Sequence, residues 1–222
     1  MVIVGDSHVR AFGFQEGYTP IFLGPGKSYN FTSYESALKV KSSLLKIANL
    51  IRGEELLLLF GEPDTRFALG KSWHSWEYNE YPDDVNNSAF IHNCVDRYVL
   101  VQQEIIKTFS NNVRILAPMM TQNPNQGVYL RAYNKLLKER SLFEVIDINN
   151  EISNKAVLKP EFRKDIIHAN SNVVRYLSHL LRDNTTSLNF QSQLLMFNYH
   201  FGCYQFNNQR RSLVSRVKGL ML

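Results

Sequence analysis

Ser7 follows a short β-branched run, Val2-Ile3-Val4, that closes with Gly5-Asp6. A serine where a strand turns into a helix presents its hydroxyl at the sheet edge, close to helix N-terminal N–H groups. The same placement also suits an ordinary helix N-cap. A hydroxyl becomes a nucleophile only with a base in hydrogen-bond reach, and that base needs a carboxylate to orient it. Asp165-Ile166-Ile167-His168, shortly after Pro160, holds both groups, with the Asp three positions before the His. In isolation that spacing is more often a surface pair. Brought together, Ser7, His168 and Asp165 would perform nucleophilic acyl transfer, for which no cofactor is needed.

Such residues need a frame to meet. Short apolar runs at 2–4, 20–23, 56–60, 113–117 and 143–148 alternate with helix-length amphipathic stretches at 36–51, 95–109, 129–140 and 171–181. The continuous run Leu56-Leu57-Leu58-Leu59-Phe60 suits a strand buried on both faces. Strands separated by helices predict βαβ units and a parallel sheet covered on both sides. The expected fold is therefore α/β, a three-layer α/β/α sandwich on a five-stranded parallel sheet of flavodoxin-like type. In such sheets the site lies beyond the carboxyl ends of the strands. Those ends are Gly5-Asp6-Ser7-His8, Leu23-Gly24-Pro25-Gly26, Phe60-Gly61-Glu62-Pro63-Asp64, Ala117-Pro118-Met119-Met120 and Ile148-Asn149-Asn150.

Four of these segments, in their order and separation, resemble the SGNH or GDSL hydrolase superfamily over residues 1–183. Val2-Ile-Val-Gly-Asp-Ser-His is similar to its first block, whose serine is the nucleophile. Phe22-Leu-Gly-Pro-Gly resembles the second, whose glycine donates a backbone N–H to the oxyanion hole. Leu59-Phe-Gly-Glu-Pro-Asp-Thr-Arg resembles the third, and Lys159-Pro-Glu-Phe-Arg-Lys-Asp-Ile-Ile-His-Ala-Asn the last, which carries Asp-x-x-His. Tyr133-Asn134, before the fifth strand, matches a further common feature. The resemblance implies Ser7 as nucleophile, His168 as base and Asp165 as its orienter. It also implies an oxyanion hole from the N–H groups of Ser7 and Gly24, with Gly26 a second choice.

One departure has consequences. The third block usually carries an oxyanion Asn where this chain has Pro63. Proline offers neither an amide side chain nor a backbone N–H. Losing one such donor typically lowers turnover ~100–1000-fold. Arg66, three positions on, is the natural substitute, and it is otherwise a surface or Asp-paired arginine. Asp64 is expected to hold the loop, and with Arg66 it borders the substrate. The glycine-rich Gly24-Pro25-Gly26-Lys27-Ser28 is not a phosphate loop, because Ile21 stands where that motif needs a glycine.

Trp73-His74-Ser75-Trp76-Glu77-Tyr78-Asn79-Glu80-Tyr81 follows the third block and should overhang the site. Its rings suit a sugar substrate, with Trp73 and Trp76 as binding residues, or else form a packed lid. His8, His74, His92, His179 and His200 have no carboxylate in a matching pattern and are expected to be structural or solvated. No histidine group has metal-ligand spacing.

Composition bounds the rest. The chain has 222 residues, 44% hydrophobic, including 14 Phe and 11 Tyr, which excludes extended disorder. Cys94 and Cys203 form no CxxC pair and suggest no disulfide framework. No apolar stretch reaches the ~18 residues of a membrane span. The start has no basic or apolar leader, so a cytoplasmic location is expected. Net charge is +5, gathered partly in Arg210, Arg211, Arg216 and Lys218, without the aromatic interleaving of a nucleic-acid channel. The expected division is an SGNH-hydrolase-like domain over 1–187 and a C-terminal extension over 188–222. The expected function is hydrolysis of an acyl ester, acetyl foremost, on a carbohydrate or similar small molecule or glycan. The alternatives are O-acyl transfer to a glycan, or a catalytically silent glycan-binding module.

Overall fold

The computed structural model describes residues 1–13, 15, 17–24, 26–31, 39–51, 55–69, 88–108 and 112–180. Trp73, Trp76, the rest of the aromatic segment and the extension over 188–222 lie outside these, as do His74 and His200.

All five expected strands form. They are β1 Val2–Gly5, β2 Thr19–Phe22, β3 Glu55–Leu59, β4 Asn112–Leu116 and β5 Glu144–Ile146. They make one parallel sheet in the order β2-β1-β3-β4-β5, with Val2 opposite both Thr19 and Leu56. That order reverses between β1 and β3, where doubly wound folds place their sites.

The sheet is covered on both faces because β1 and β3 carry apolar side chains on both sides, over Val2–Val4 and Leu56–Leu59. Val2, Val4, Leu56 and Leu58 join one core, while Ile3, Leu57 and Leu59 join the other. Helix α1 Val40–Leu50 and helix α3 Ala89–Thr108 close the first core through Leu44, Ile47, Tyr98 and Val101. The second is closed by a 3₁₀ turn, Ser7–Phe12, and by the last helix α6 Asn172–Leu180, through Phe12, Val173 and Leu177. Helix α4 Pro124–Arg140 serves both, with Leu130 in the second core and Tyr133 and Leu137 in the first. The result is a three-layer α/β/α sandwich.

Several elements differ from the sequence expectation, and α3 begins at Ala89 rather than 95. Residues 62–69 form a helix, α2 Glu62–Leu69, rather than a strand-end loop. Its Pro63 sits in the first turn, where a missing N–H leaves no intrahelical bond unmade. Helix α4 begins at Pro124 rather than 129, because Asn123 caps it by accepting the N–H groups of Asn125 and Gln126 at 3.0 and 3.3 Å. After β5 the chain adds a short helix, α5 Asn149–Ile152, and a hairpin of β6 Ser153–Asn154 and β7 Val157–Leu158. Among the described residues no helix is long and apolar enough to cross a membrane.

Two glycines permit close approach beside the switch point. A Cβ on Gly5 would lie 1.9 Å from the Leu59 carbonyl oxygen, the group that accepts the Asp6 N–H at 3.0 Å. Gly61 has φ +125°, and a Cβ there would meet the Tyr133 ring at 2.5 Å.

Candidate active site

Ser7 opens the 3₁₀ turn that follows β1, but it does not cap that turn. Asp6 is the cap, its Oδ1 accepting the His8 N–H at 3.0 Å. The Ser7 hydroxyl is thereby left for another partner, and Oγ lies 2.8 Å from Nε2 of His168. Nδ1 of His168 lies 2.9 Å from each carboxylate oxygen of Asp165. An ionised carboxylate only accepts, so Nδ1 carries the proton and Nε2 turns its lone pair to the serine. Residues 161 positions apart in sequence thus meet as Ser–His–Asp.

The Asp165 carboxylate is fixed before the imidazole adds anything. Its Oδ1 accepts the backbone N–H groups of Ile167 at 2.9 Å and His168 at 2.8 Å. Burial, though slight, favours the neutral acid, but these donors and the His168 ring outweigh it and hold the carboxyl down to about 2. It stays a carboxylate across the neutral range.

Backbone carbonyls hold the same loop in place. The Gln122 amide side chain donates to the Asp165 carbonyl at 3.0 Å, and the Gln122 N–H to the Ile166 carbonyl at 3.0 Å. Nε2 of His8 lies 3.1 Å from the Ile167 carbonyl, and the Lys164 N–H donates to the His168 carbonyl at 2.9 Å. Gln122 was not singled out from sequence, since nothing local marks it.

His8 corrects the sequence expectation. Its carboxylate partner is Asp6, two positions earlier, with Nδ1 3.2 Å from Oδ1. Both side chains are buried. Burial disfavours the imidazolium, but Asp6, Glu62 and the Ile167 carbonyl together raise the His8 pKa above its usual value. The Asp-x-His spacing in Gly5-Asp6-Ser7-His8 was the available signal.

The third-block residues are less simple. Glu62 is buried at the start of α2, with Oε1 accepting from the Gln126 amide at 2.7 Å. Its Oε2 lies 3.4 Å from an Arg66 guanidinium nitrogen one turn on, and the Arg66 side chain is 42% exposed. Arg66 is thus Glu-paired on a helix, with further N–H donors at a half-open position. Asp64, expected beside the substrate, is fully buried. It accepts the Ser28 N–H at 2.8 Å, the Ser28 hydroxyl at 3.0 Å and the Tyr29 N–H at 2.9 Å. It therefore holds the loop after β2 and presents no oxygen to a ligand. Burial pushes its pKa up to about 6, against the pull of those donors and the Cys94 thiol.

Gly24 adopts the left-handed backbone, φ +86°, two residues past the end of β2. Neither its N–H nor that of Ser7 donates to another group among the described residues. Of the Tyr133-Asn134 pair, Tyr133 meets the Ser28 hydroxyl at 3.0 Å and Asn134 donates to the Pro118 carbonyl at 2.9 Å. Both are buried and serve the frame.

No family model matches the chain. No curated protein matches it significantly. Among solved structures it is similar to a Streptococcus pneumonia protein provisionally named a platelet activating factor, at 16% identity and a TM-score of 0.49, over 82% of this chain and 81% of that one. A likeness of that size carries no weight on function, which rests on the site itself.

Proposed function

We propose that this chain is an ester hydrolase of the SGNH type, with Ser7 as nucleophile, His168 as general base and acid, and Asp165 as its orienter. The observation that carries the reading is the 2.8 Å contact between Ser7 Oγ and His168 Nε2, with Asp165 on the opposite ring nitrogen. Ser7 attacks the acyl carbon as His168 takes its proton, and Asp165 stabilises the imidazolium that forms. The N–H groups of Ser7 and Gly24 receive the developing oxyanion, with Arg66 as a third donor in place of the missing Asn. Collapse expels the alcohol, protonated by His168, and water then releases the acid from the acyl-serine.

An acetyl ester on a carbohydrate is the substrate class we favour, since Trp73 and Trp76, ring types suited to sugars, follow the third block in sequence. If a sugar hydroxyl replaces water in the second step, the same residues perform O-acyl transfer. Hydrolysis of p-nitrophenyl acetate, with and without sugar acceptors, tests the reading, and the acceptor arm separates hydrolase from transferase. Pro63 favours a second reading, a silent glycan-binding module. Esterase activity in Pro63→Asn but never in the parent would establish that one.

A further inference from the structure

His8 lies between the Asp6 carboxyl group and a backbone carbonyl. Nδ1 is 3.2 Å from the Asp6 carboxylate and Nε2 is 3.1 Å from the Ile167 carbonyl oxygen. With Asp6 ionised, a neutral imidazole has one N–H too few, since either tautomer would aim a ring lone pair at an acceptor's lone pair. In that state only the imidazolium satisfies both contacts, whereas a protonated Asp6 would leave a single ring proton, on Nε2. Charge balance agrees: Asp6 is buried, its Oδ2 has no hydrogen-bond partner, and a buried carboxylate without a counter-charge is strongly disfavoured.

The position matters as much as the charge. Ile167 lies between Asp165 and His168, and its own N–H donates to the Asp165 carboxylate. Its carbonyl is a point, besides the Ser7–His168 contact itself, at which the 3₁₀ turn bearing Ser7 grips the loop bearing His168. The two imidazole rings stand 5.3 Å apart, centre to centre. We infer that His8, as a doubly protonated imidazolium, clamps the Ile167 carbonyl to Asp6 and so positions His168 over Ser7. His8 is a positioning residue that never touches substrate. Only the kinetic part of this inference rests on the function proposed above.

The clamp depends on pH in a defined direction. The groups acting on His8 are Asp6 on its own turn, Glu62 with its partner Arg66 on α2, and His168 on the facing loop. The Tyr98 phenol on α3 feels the Asp6 charge, and its buried hydroxyl stays neutral. The His8 pKa is raised, so the clamp is complete below its ordinary value of 6.5 and weakens as pH climbs through the higher folded value.

The test uses the full chain, 15N-labelled at histidine, with His8→Phe and His8→Gln. Gln keeps a donor near the Nε2 position and has no proton to lose. At pH 6 the parent should show protons on both ring nitrogens of His8, and slow amide exchange at Ile167 and His168. His8→Phe should speed that exchange and lower kcat roughly 10- to 100-fold, the scale of a small misplacement, with KM little changed. His8→Gln should recover part of kcat and lack the parent's alkaline decline. If Phe prevents folding, the Gln pH profile and the parent's ring protons carry the test. A single ring proton on His8 at pH 6, or parent-like exchange and kcat in His8→Phe, overturns the clamp. Doubly protonated His8 and loosened exchange in a chain with no Ser7-dependent activity would support the clamp and reject the proposed function instead.

Discussion

The Asp64 carboxylate spans the mouth of the sheet to hold Ser28 twice, through its backbone N–H at 2.8 Å and its hydroxyl at 3.0 Å. One buried charge on α2 thus sets the loop that leaves β2 after Gly24. Without it three donors, two on Ser28 and one on Tyr29, lose their acceptor.

That charge makes stability depend on pH. Burial raises the Asp64 pKa to about 6 in the fold, above its ordinary value of 3.8. A raised carboxyl contributes stability that is complete below the unfolded value and is lost as pH rises through the folded one. The stability gap between the parent and Asp64→Ala should therefore narrow from pH 4 to pH 7, by up to about 3 kcal/mol, and change little beyond. Urea unfolding at several pH values reads it. A constant gap would show that Asp64 titrates normally.

Ser7→Ala removes the hydroxyl that meets His168. Ester hydrolysis or transfer should fall on the order of 10⁴-fold or more, with an unchanged circular dichroism spectrum, because Asp6 rather than Ser7 caps the turn. Equal rates in mutant and parent would remove Ser7 from the mechanism.

Arg66 separates structure from catalysis. Its contact with Glu62 is long, 3.4 Å, and its side chain is 42% exposed. Because Glu62 is buried, Arg66→Ala strips its carboxylate of a counter-charge and should lower stability by more than the loss of an exposed pair would, so its rate is compared on folded protein. As an oxyanion donor it should matter far more to rate, with kcat in Arg66→Ala reduced ~100-fold and KM less affected. Arg66→Lys should recover little if the planar fork is what the oxyanion meets. Full activity in Arg66→Ala would leave the Ser7 and Gly24 N–H groups as the donors.

For the aromatic segment, Trp73→Ala and Trp76→Ala should weaken oligosaccharide binding more than they lower Tm. Fluorescence titration of each variant, retaining the other tryptophan, decides it. A large drop in Tm with unchanged binding would mark a packed lid.

Features whose signals are local were readable from residue order alone. Leu56-Leu57-Leu58-Leu59 announced a strand buried on both faces, and each leucine went to the core its parity dictates. Asp165 and His168 were legible because an Asx-type turn closes within three residues. Ser7 stood out because it follows a strand. Other features emerge on folding, because they depend on partners far along the chain. Helix α2 was hidden, since Pro63 and the polar Glu62, Asp64 and Thr65 read as a loop until burial beside Gln126 and Ser28 satisfied them. Asp64 was legible as a loop-holding carboxylate but not as a fully buried one, because its donors come from 35 and 36 positions away. His8 shows the limit most clearly. One partner is two residues away and visible, but the Ile167 carbonyl is 159 residues away. Backbone carbonyls leave no trace in residue types, so the contact that makes His8 an imidazolium exists only once the chain has folded.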